Sequence, residues 1–382
     1  MRSQAPHPDW KIADLGSRLR HFGDTAAVME HLDLVITCDS APAHLAGALG
    51  RPVWVALSTP ADWQVLMTTP QDWDKHFKLT GSLDLAGLTL TPVGNSTTKF
   101  SGVFRGDGWT IRNAVISQPG VDNVGLFGYL WGGAKVQDVR VENAFVEGRY
   151  WVGGLVGRTD TVTLEAVSYQ GTVKGISIVG GLVGSTGGAY NMIRGCYTTG
   201  TVVGSRYLGG LVGYVWGGRL NYCYSQASVS STLETEGPYE VVGGLVGRIH
   251  HEPGAVSIIS KCYAAGLVTV ASLDAHYIGG LVGQNESATV TDSFWDIEAS
   301  SQTLSDGGIG KPTAQMKQAI TYINAGWDFV NLWELGEYQT YPYIRTRPSA
   351  DLNRDGIVGL EDFSILAEQW LTEDIQVPSE PA

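Results

Sequence analysis

A Gly-Leu-x-Gly core returns six times between residues 124 and 284, most often as Val-Gly-Gly-Leu-Val-Gly. The cores begin at Gly125, Gly154, Gly181, Gly210, Gly244 and Gly280, at spacings of 29, 27, 29, 34 and 36 residues. A repeat of this length means stacked units, none of which can bury its apolar face alone. Each core leads through a turn into a second short apolar run, over residues 162–167, 192–197, 220–224, 258–263 and 290–295. Most lead into a third, such as Gly200-Thr201-Val202 or Gly266-Leu267-Val268. Short runs rich in Val, Ile, Tyr and Thr, punctuated by Gly and Ser, read as strands. Three short strands per period fit one coil of a parallel β-solenoid. The doubled glycines, from Gly153-Gly154 to Gly279-Gly280, are expected at sharp corners, where Gly takes positive φ cheaply. The Leu between the glycines is expected to point inward and stack on the Leu one coil away.

A second column supports the register. Ser168, Cys196, Cys223, Cys262 and Ser293 fall at similar offsets, followed by Tyr169, Tyr197, Tyr224, Tyr263 and Phe294. The small residues are expected to face inward and the aromatics outward. The longer spacings at residues 232–239 and 250–254 read as loop insertions, which usually gather on one side of a solenoid, often the binding side.

Composition agrees. Gly makes up 50 of 382 residues without a collagen period, as in a turn-dense β protein. A net charge of -13 excludes nucleic acid as an expected partner, because phosphates would be repelled. Four cysteines are too few and scattered for a disulfide scaffold. Cys196 and Cys223 are within bonding reach if they occupy neighbouring rungs, roughly 4.8 Å apart, and small buried thiols are the expectation. No apolar run is long enough for a membrane span, and residues 1–20 contain no apolar stretch of signal-peptide length.

Three textures follow one another. Residues 1–57 alternate helix (25–32), strand (34–37), helix (41–49) and strand (53–57), which is α/β. Residues 58–348 are strand and turn, with one helix expected at 313–324, capped by Thr313 and ended near Gly326. Residues 349–382 are a loop, a helix and a Pro-containing end. The chain therefore reads as mainly β, a parallel β-helix with a small α/β N-terminal fragment and a C-terminal EF-hand-like loop-helix.

The middle segment resembles the bacterial surface proteins named for the GLUG motif. The six cores carry the likeness, with the lead-in Asp72-Trp73-Asp74-Lys75-His76-Phe77-Lys78-Leu79-Thr80, the segment 100–113 containing Gly106-Asp107-Gly108, and the closing Ser293-Phe294-Trp295-Asp296 and Gly326-Trp327-Asp328-Phe329. The resemblance implies an extracellular or cell-surface solenoid without generally assigned catalytic residues.

The strongest chemical signal is the twelve-residue loop 351–362, with side-chain oxygens at Asp351, Asn353 and Asp355. Calcium takes six to eight hard oxygens, and alternate side chains here curl around one centre. Gly356 permits the sharp turn, Ile357 offers its carbonyl and Asp362 closes the shell. The loop with its following helix, 363–371, resembles half of a type I dockerin, and implies calcium as the bound ion. With the second dockerin repeat missing, cohesin is not an expected partner.

At the other end, Asp33-Leu34-Val35-Ile36-Thr37-Cys38-Asp39-Ser40-Ala41-Pro42-Ala43-His44 looks like part of the nucleotide-sugar-binding half of heptosyltransferase-like GT-B glycosyltransferases. The resemblance implies that Asp39, Ser40 and His44 face a sugar diphosphate, where a helix N-terminus after a parallel strand presents free amides. A GT-B enzyme needs two complete Rossmann-like domains, and this piece cannot form one. A remnant is therefore expected, not a working site.

Three functions follow for weighing. A noncatalytic solenoid would contact polysaccharide or a cell-surface glycan through Tyr129, Trp131, Tyr214 and Trp216, which sit in two copies of Gly-Tyr-x-Trp-Gly-Gly; the same rings could equally be edge cover for the coil. A polysaccharide-degrading or cellulosome-like accessory enzyme needs two carboxylates at a defined separation, or a metal with a base. Its candidates are Asp292, Asp296 and Glu298, or His250 and His251, none of which recurs as a facing constellation, so no catalytic residue is assigned. Glycosyl transfer by the N-terminal piece is set aside on size.

Overall fold

Each central coil turns through four strands, where three were expected. A computed structural model describes residues 13, 15, 18–37, 41–51, 53–232, 240–250, 254–271 and 277–345, and the side chains of residues 41, 43 and 44 are not among what it describes. The chain divides into two compact units between Ala56 and Leu57. In the first, strand Val35–Thr37 pairs in parallel with Val53–Leu57, with helix Ala41–Ala48 between them, and helix Phe22–Met29 precedes.

In the second unit, the coil at residues 150–174 shows the plan. Its strands Tyr150–Gly153, Val156–Asp160, Thr163–Glu165 and Ser168–Lys174 each belong to a different parallel sheet, here faces I to IV. The run read as one strand through the core breaks at Gly-Gly-Leu into faces I and II. The corner leucines Leu126, Leu155, Leu182, Leu211, Leu245 and Leu281 are all buried. The amide of Leu155 donates to the carbonyl of Leu182 (3.0 Å), Leu182 to Leu211 (2.9 Å), Leu211 to Leu245 (2.9 Å) and Leu245 to Leu281 (2.8 Å). The expected inward leucine stack is therefore present, and it forms the spine of the core.

The corner glycines serve a purpose other than the expected one. None of the doubled glycines has positive φ. They are needed for space: a Cβ on Gly153, Gly180, Gly209, Gly243 or Gly279 would strike the carbonyl oxygen of the Val three residues ahead. Positive φ falls instead at the turn from face III to face IV, at Asp138, Ala166, Gly195, Tyr222, Lys261 and Asp292. Only one of these is glycine, so the turn is held by neighbouring coils. The amide of Asp138 donates to Glu165 (3.0 Å), that of Ala166 to Arg194 (3.0 Å) and that of Tyr222 to Ser260 (3.1 Å).

The residue after each left-handed one points inward: Val139, Val167, Cys196, Cys223, Cys262 and Ser293, all buried. The expected column is thus correct at four places and slipped by one at Ser168-Tyr169. Ser168 pairs with Tyr197, and Tyr169 pairs with Thr198. Since side chains alternate along a strand, the slip turns Tyr169 inward against Gly154. The three cysteines are free thiols, and burial pushes those of Cys196 and Cys223 up, leaving them neutral.

Outward aromatics on face IV are real for the later coils. Tyr197 stacks on Tyr224 (4.7 Å, 2°) and Tyr224 on Tyr263 (4.9 Å, 6°). The closing segment covers them, with Met316, Tyr322, Trp327 and Trp333 buried against Tyr224, Tyr263 and Phe294. The helix expected at 313–324 is two short ones, Thr313–Met316 and Ala319–Ile323. Thr313 does not cap the first; its hydroxyl donates to Asp296 (2.9 Å) instead. A further helix, Pro60–Thr68, was not expected, and it begins with a capping box of Thr59 and Asp62 and a proline in its first turn. Its Trp63 meets Phe104 (5.8 Å) and Phe127 (6.2 Å) edge-on, closing one end of the coil stack. At the other end residues 304–308 cross over Leu281 and Val282, with the Ser305 hydroxyl accepting from both amides (3.1 and 2.9 Å). The longer spacings do not share one place in the coil: one falls in the chain between Tyr224–Ser231 on face IV and Val241–Gly243 on face I, the other between Val246–Ile249 on face II and Ser257–Ser260 on face III, and residues 233–239 and 251–253 themselves lie outside the described residues.

Candidate functional site

Face II carries the two Gly-Tyr-x-Trp copies. Parallel register places Tyr129 opposite Arg158, Arg158 opposite Ser185, Ser185 opposite Tyr214, Tyr214 opposite Arg248, and Arg248 opposite Gln284. This outward column is the residue following each Gly-Leu-x-Gly core. The position two further on gives Trp131, Asp160, Gly187, Trp216, His250 and Glu286. Both predicted Tyr-Trp pairs therefore lie in the same two columns of one sheet, three coils apart, or about 14 Å at ordinary strand spacing.

The structure separates the four rings by role. Tyr129 (8 % exposed) and Tyr214 (5 %) form the base of the face, while Trp131 is 48 % exposed and Trp216 half-buried. Cations cover the tyrosines. Lys99 stands over Tyr129 (5.4 Å) and Trp131 (5.5 Å), and Arg158 over Tyr129 (5.2 Å) and Trp151 (5.7 Å). Arg248 lies over Tyr214 (5.6 Å) and Tyr207 (5.4 Å). Such contacts are worth about 0.5–1 kcal/mol each at exposed sites. Burial pushes the hydroxyl of Tyr129 up, and that of Tyr214 to about 12, so both stay neutral donors at physiological pH.

Lys99 reaches this face because Phe100 pairs with Leu130 in parallel and points into the core, leaving its neighbour outward. The second copy is tied together more tightly. Arg248 pairs with Glu286 and donates to the Tyr207 hydroxyl (2.9 Å), and His250 Nδ1 lies 2.9 Å from Glu286 Oε2. Trp216 packs between Tyr214 (5.0 Å) and His250 (4.7 Å).

The acids weighed as catalytic serve the closing turn. Asp296 is fully buried and accepts from the amides of Glu298 (2.9 Å) and Ala299 (2.8 Å) and the hydroxyls of Thr313 (2.9 Å) and Tyr341 (2.8 Å). Glu298 accepts from the Thr313 amide (2.9 Å), and the carbonyl of Asp292 accepts from the Trp327 indole (2.9 Å). His251 lies outside the described residues, as do Asp39, Ser40, and the calcium-loop residues Asp351, Asn353, Asp355, Ile357 and Asp362. His44 lies on helix Ala41–Ala48, with its side chain also outside them. Among the described residues no helix is long and apolar enough to cross a membrane. Sequence reasoning missed Lys99, Arg158, Tyr207 and Arg248; for the two arginines the signal was present, directly after the cores at Gly157 and Gly247.

Comparison with known proteins adds two family matches. Residues 5–68 match glycosyltransferase family 9 (heptosyltransferase), and residues 204–230 match the GLUG motif. The GLUG match takes in one strand from each of the four faces, Arg206–Gly209, Val212–Val215, Gly218–Asn221 and nearly all of Tyr224–Ser231. Halomucin of Haloquadratum walsbyi is 36% identical over 138 residues, 33% of this chain and 2% of that protein. A protein of Evansella cellulosilytica, provisionally named a Gly-rich membrane protein, is 37% identical over 108 residues, 27% of this chain and 11% of its own length. This chain thus spans a small part of either relative. Among solved structures, a Bacteroides ovatus protein provisionally described as an immunoglobulin A1 protease superposes with a TM-score of 0.57 at 19% identity, covering 78% of this chain and 93% of that one. That likeness is one of fold alone. The chain is a mainly β parallel solenoid carrying a GLUG motif.

Proposed function

We propose that this chain is a noncatalytic, cell-surface or extracellular solenoid that contacts glycans through the outer side of face II. The observation that carries the reading is the register: two Gly-Tyr-x-Trp copies, separated by two intervening coils, put their rings into the same pair of outward columns. Edge cover alone does not need the Trp131 indole half in water. An indole over a pyranose ring binds by apolar contact with its axial hydrogens, and a rigid sheet presents it without loss of loop entropy. The names of halomucin and the Evansella membrane protein support a surface setting.

Affinity electrophoresis of the full chain through gels containing plant, algal and bacterial polysaccharides tests this. At least one polymer should retard the native chain, and Trp131→Ala with Trp216→Ala should weaken the affinity about thirty-fold, at about 1 kcal/mol per ring. Migration unaffected by every polymer would remove the glycan reading.

The acidic loop at 351–362 belongs to the same proposal as a calcium-held module, on the strength of its alternating oxygen ligands. At a hundred-fold excess over its Kd, calcium should stabilise that module by about 2.7 kcal/mol. Calorimetric titration of the full chain should show binding, and Asp351→Ala with Asp355→Ala should abolish it; a native chain that releases no heat with calcium contradicts the assignment.

A further inference from the structure

The two Gly-Tyr-x-Trp copies differ in what surrounds them. In the second, the Arg248 guanidinium is answered by Glu286, which also meets His250. In the first, the Lys99 ammonium and the Arg158 guanidinium flank the ring of Tyr129, and among the described residues neither has a carboxylate within ion-pair distance. Asp160 shares the outward column of Trp131, where its Oδ1 accepts from the Thr161 hydroxyl (3.0 Å) and its charge reaches Tyr129, but it forms no ion pair with either cation. On a chain of net charge -13, acids are plentiful enough to pair with both cations. Both are instead held against aromatic faces, which orient a positive charge without neutralising it. Beside them stands Trp131, the most exposed ring of the four predicted.

We propose that the first copy is a subsite for an anionic polysaccharide, with Trp131 stacking on a sugar ring while Lys99 and Arg158 hold its carboxylate or sulfate group. This rests on the glycan reading above and sharpens it. A guanidinium fork meets carboxylate or sulfate oxygens with paired N–H donors, and the ammonium adds a point charge. The second copy, its arginine already matched by Glu286, contributes ring contact only. Retention by a polyanion is informative for this chain, because its net charge opposes any nonspecific attraction.

The test runs the full native chain through gels containing polygalacturonate, dextran sulfate or neutral dextran. Polygalacturonate or dextran sulfate should retard it more than dextran does, with the two arms reporting whether carboxylate or sulfate is preferred, and added salt should weaken the effect. Lys99→Gln with Arg158→Gln should lower the apparent affinity for the polyanion about ten-fold or more. Lys135→Gln with Arg219→Gln removes the same charge from face III and should leave it unchanged. Trp131→Ala is a second lesion at the same subsite and should also weaken polyanion retention. Equal losses in the two double variants, or polyanions retarding no more than dextran, would overturn the subsite while leaving glycan contact standing. If none of the three polymers retards the native chain and the wider polysaccharide panel fails as well, the glycan reading falls with it.

Discussion

Gly209→Ala should destabilise the solenoid by about 3 kcal/mol or more, the upper end of what an overpacked site costs. Two effects of the change oppose each other. Alanine narrows the unfolded ensemble, which by itself stabilises by about 0.4–1 kcal/mol where the native backbone suits it, and the φ of Gly209 is not in the left-handed region. Against this, the added Cβ meets the carbonyl oxygen of Val212 and, at 2.7 Å, the amide nitrogen of Gly247 in the next coil. Both are backbone atoms in ladder positions, so neither can rotate aside as a side chain would. Relief requires separating two coils at the leucine corner, which loosens Leu211 and Leu245 as well. Gly120→Ala is the counterpart, since nothing lies within 4 Å of a Cβ there and its φ is ordinary; it should be neutral or slightly stabilising. Urea unfolding followed by circular dichroism measures both. If Gly209→Ala matches Gly120→Ala, close packing is not the reason for the corner glycines.

Those glycines also mark the limit of what the sequence alone conveys. Period, strand character and the inward leucines follow from spacing alone, because stacking identical corners leaves few alternatives. The reason for the glycines did not follow, since the residue type is the same whether it supplies positive φ or empty space. The true left-handed turn was hidden because Asp138, Ala166, Tyr222, Lys261 and Asp292 carry no shared residue type; ladder hydrogen bonds from adjacent coils enforce it. The slip at Ser168 arose because Ser-Tyr imitates Cys-Tyr, whereas pairing follows distance from the left-handed residue. Four strands were read as three because the face I strands are short and end in the core motif itself.

The candidate site was half readable. Tyr129, Trp131, Tyr214 and Trp216 stood out as a repeated hexapeptide, and register then put both copies on one face. Arg158 and Arg248 occupy the same offset in other coils, but an arginine after Gly-Leu-Val-Gly acquires meaning only once a tyrosine is known to sit beside it. Lys99 lies in an irregular stretch outside the repeat. Its placement depends on the Phe100–Leu130 bridge, a pairing that no local pattern announces.

Asp296→Ala should free the closing segment, at a cost of about 3 kcal/mol. The carboxylate is fully buried and satisfies four donors at once: two amides that open helix Ile297–Ser300, the Thr313 hydroxyl and the Tyr341 hydroxyl. Burial, and then the bond to Asp296, push the Tyr341 hydroxyl well above its ordinary value, so it remains a donor throughout the physiological range. Alanine removes every acceptor and leaves those donors facing a cavity. Asp296→Asn keeps the volume and one carbonyl oxygen, so its cost should be smaller, with Tyr341 now obliged to accept from the amide. The damage should concentrate where the closing segment lies on face IV, over Tyr224, Tyr263 and Phe294. Hydrogen exchange should therefore rise across residues 313–345 before it rises in the leucine corners, because the coils keep their own ladders. Exchange that rises uniformly along the chain, or does not rise at all, would mean that the closing segment is held by its aromatic packing and that the carboxylate is dispensable.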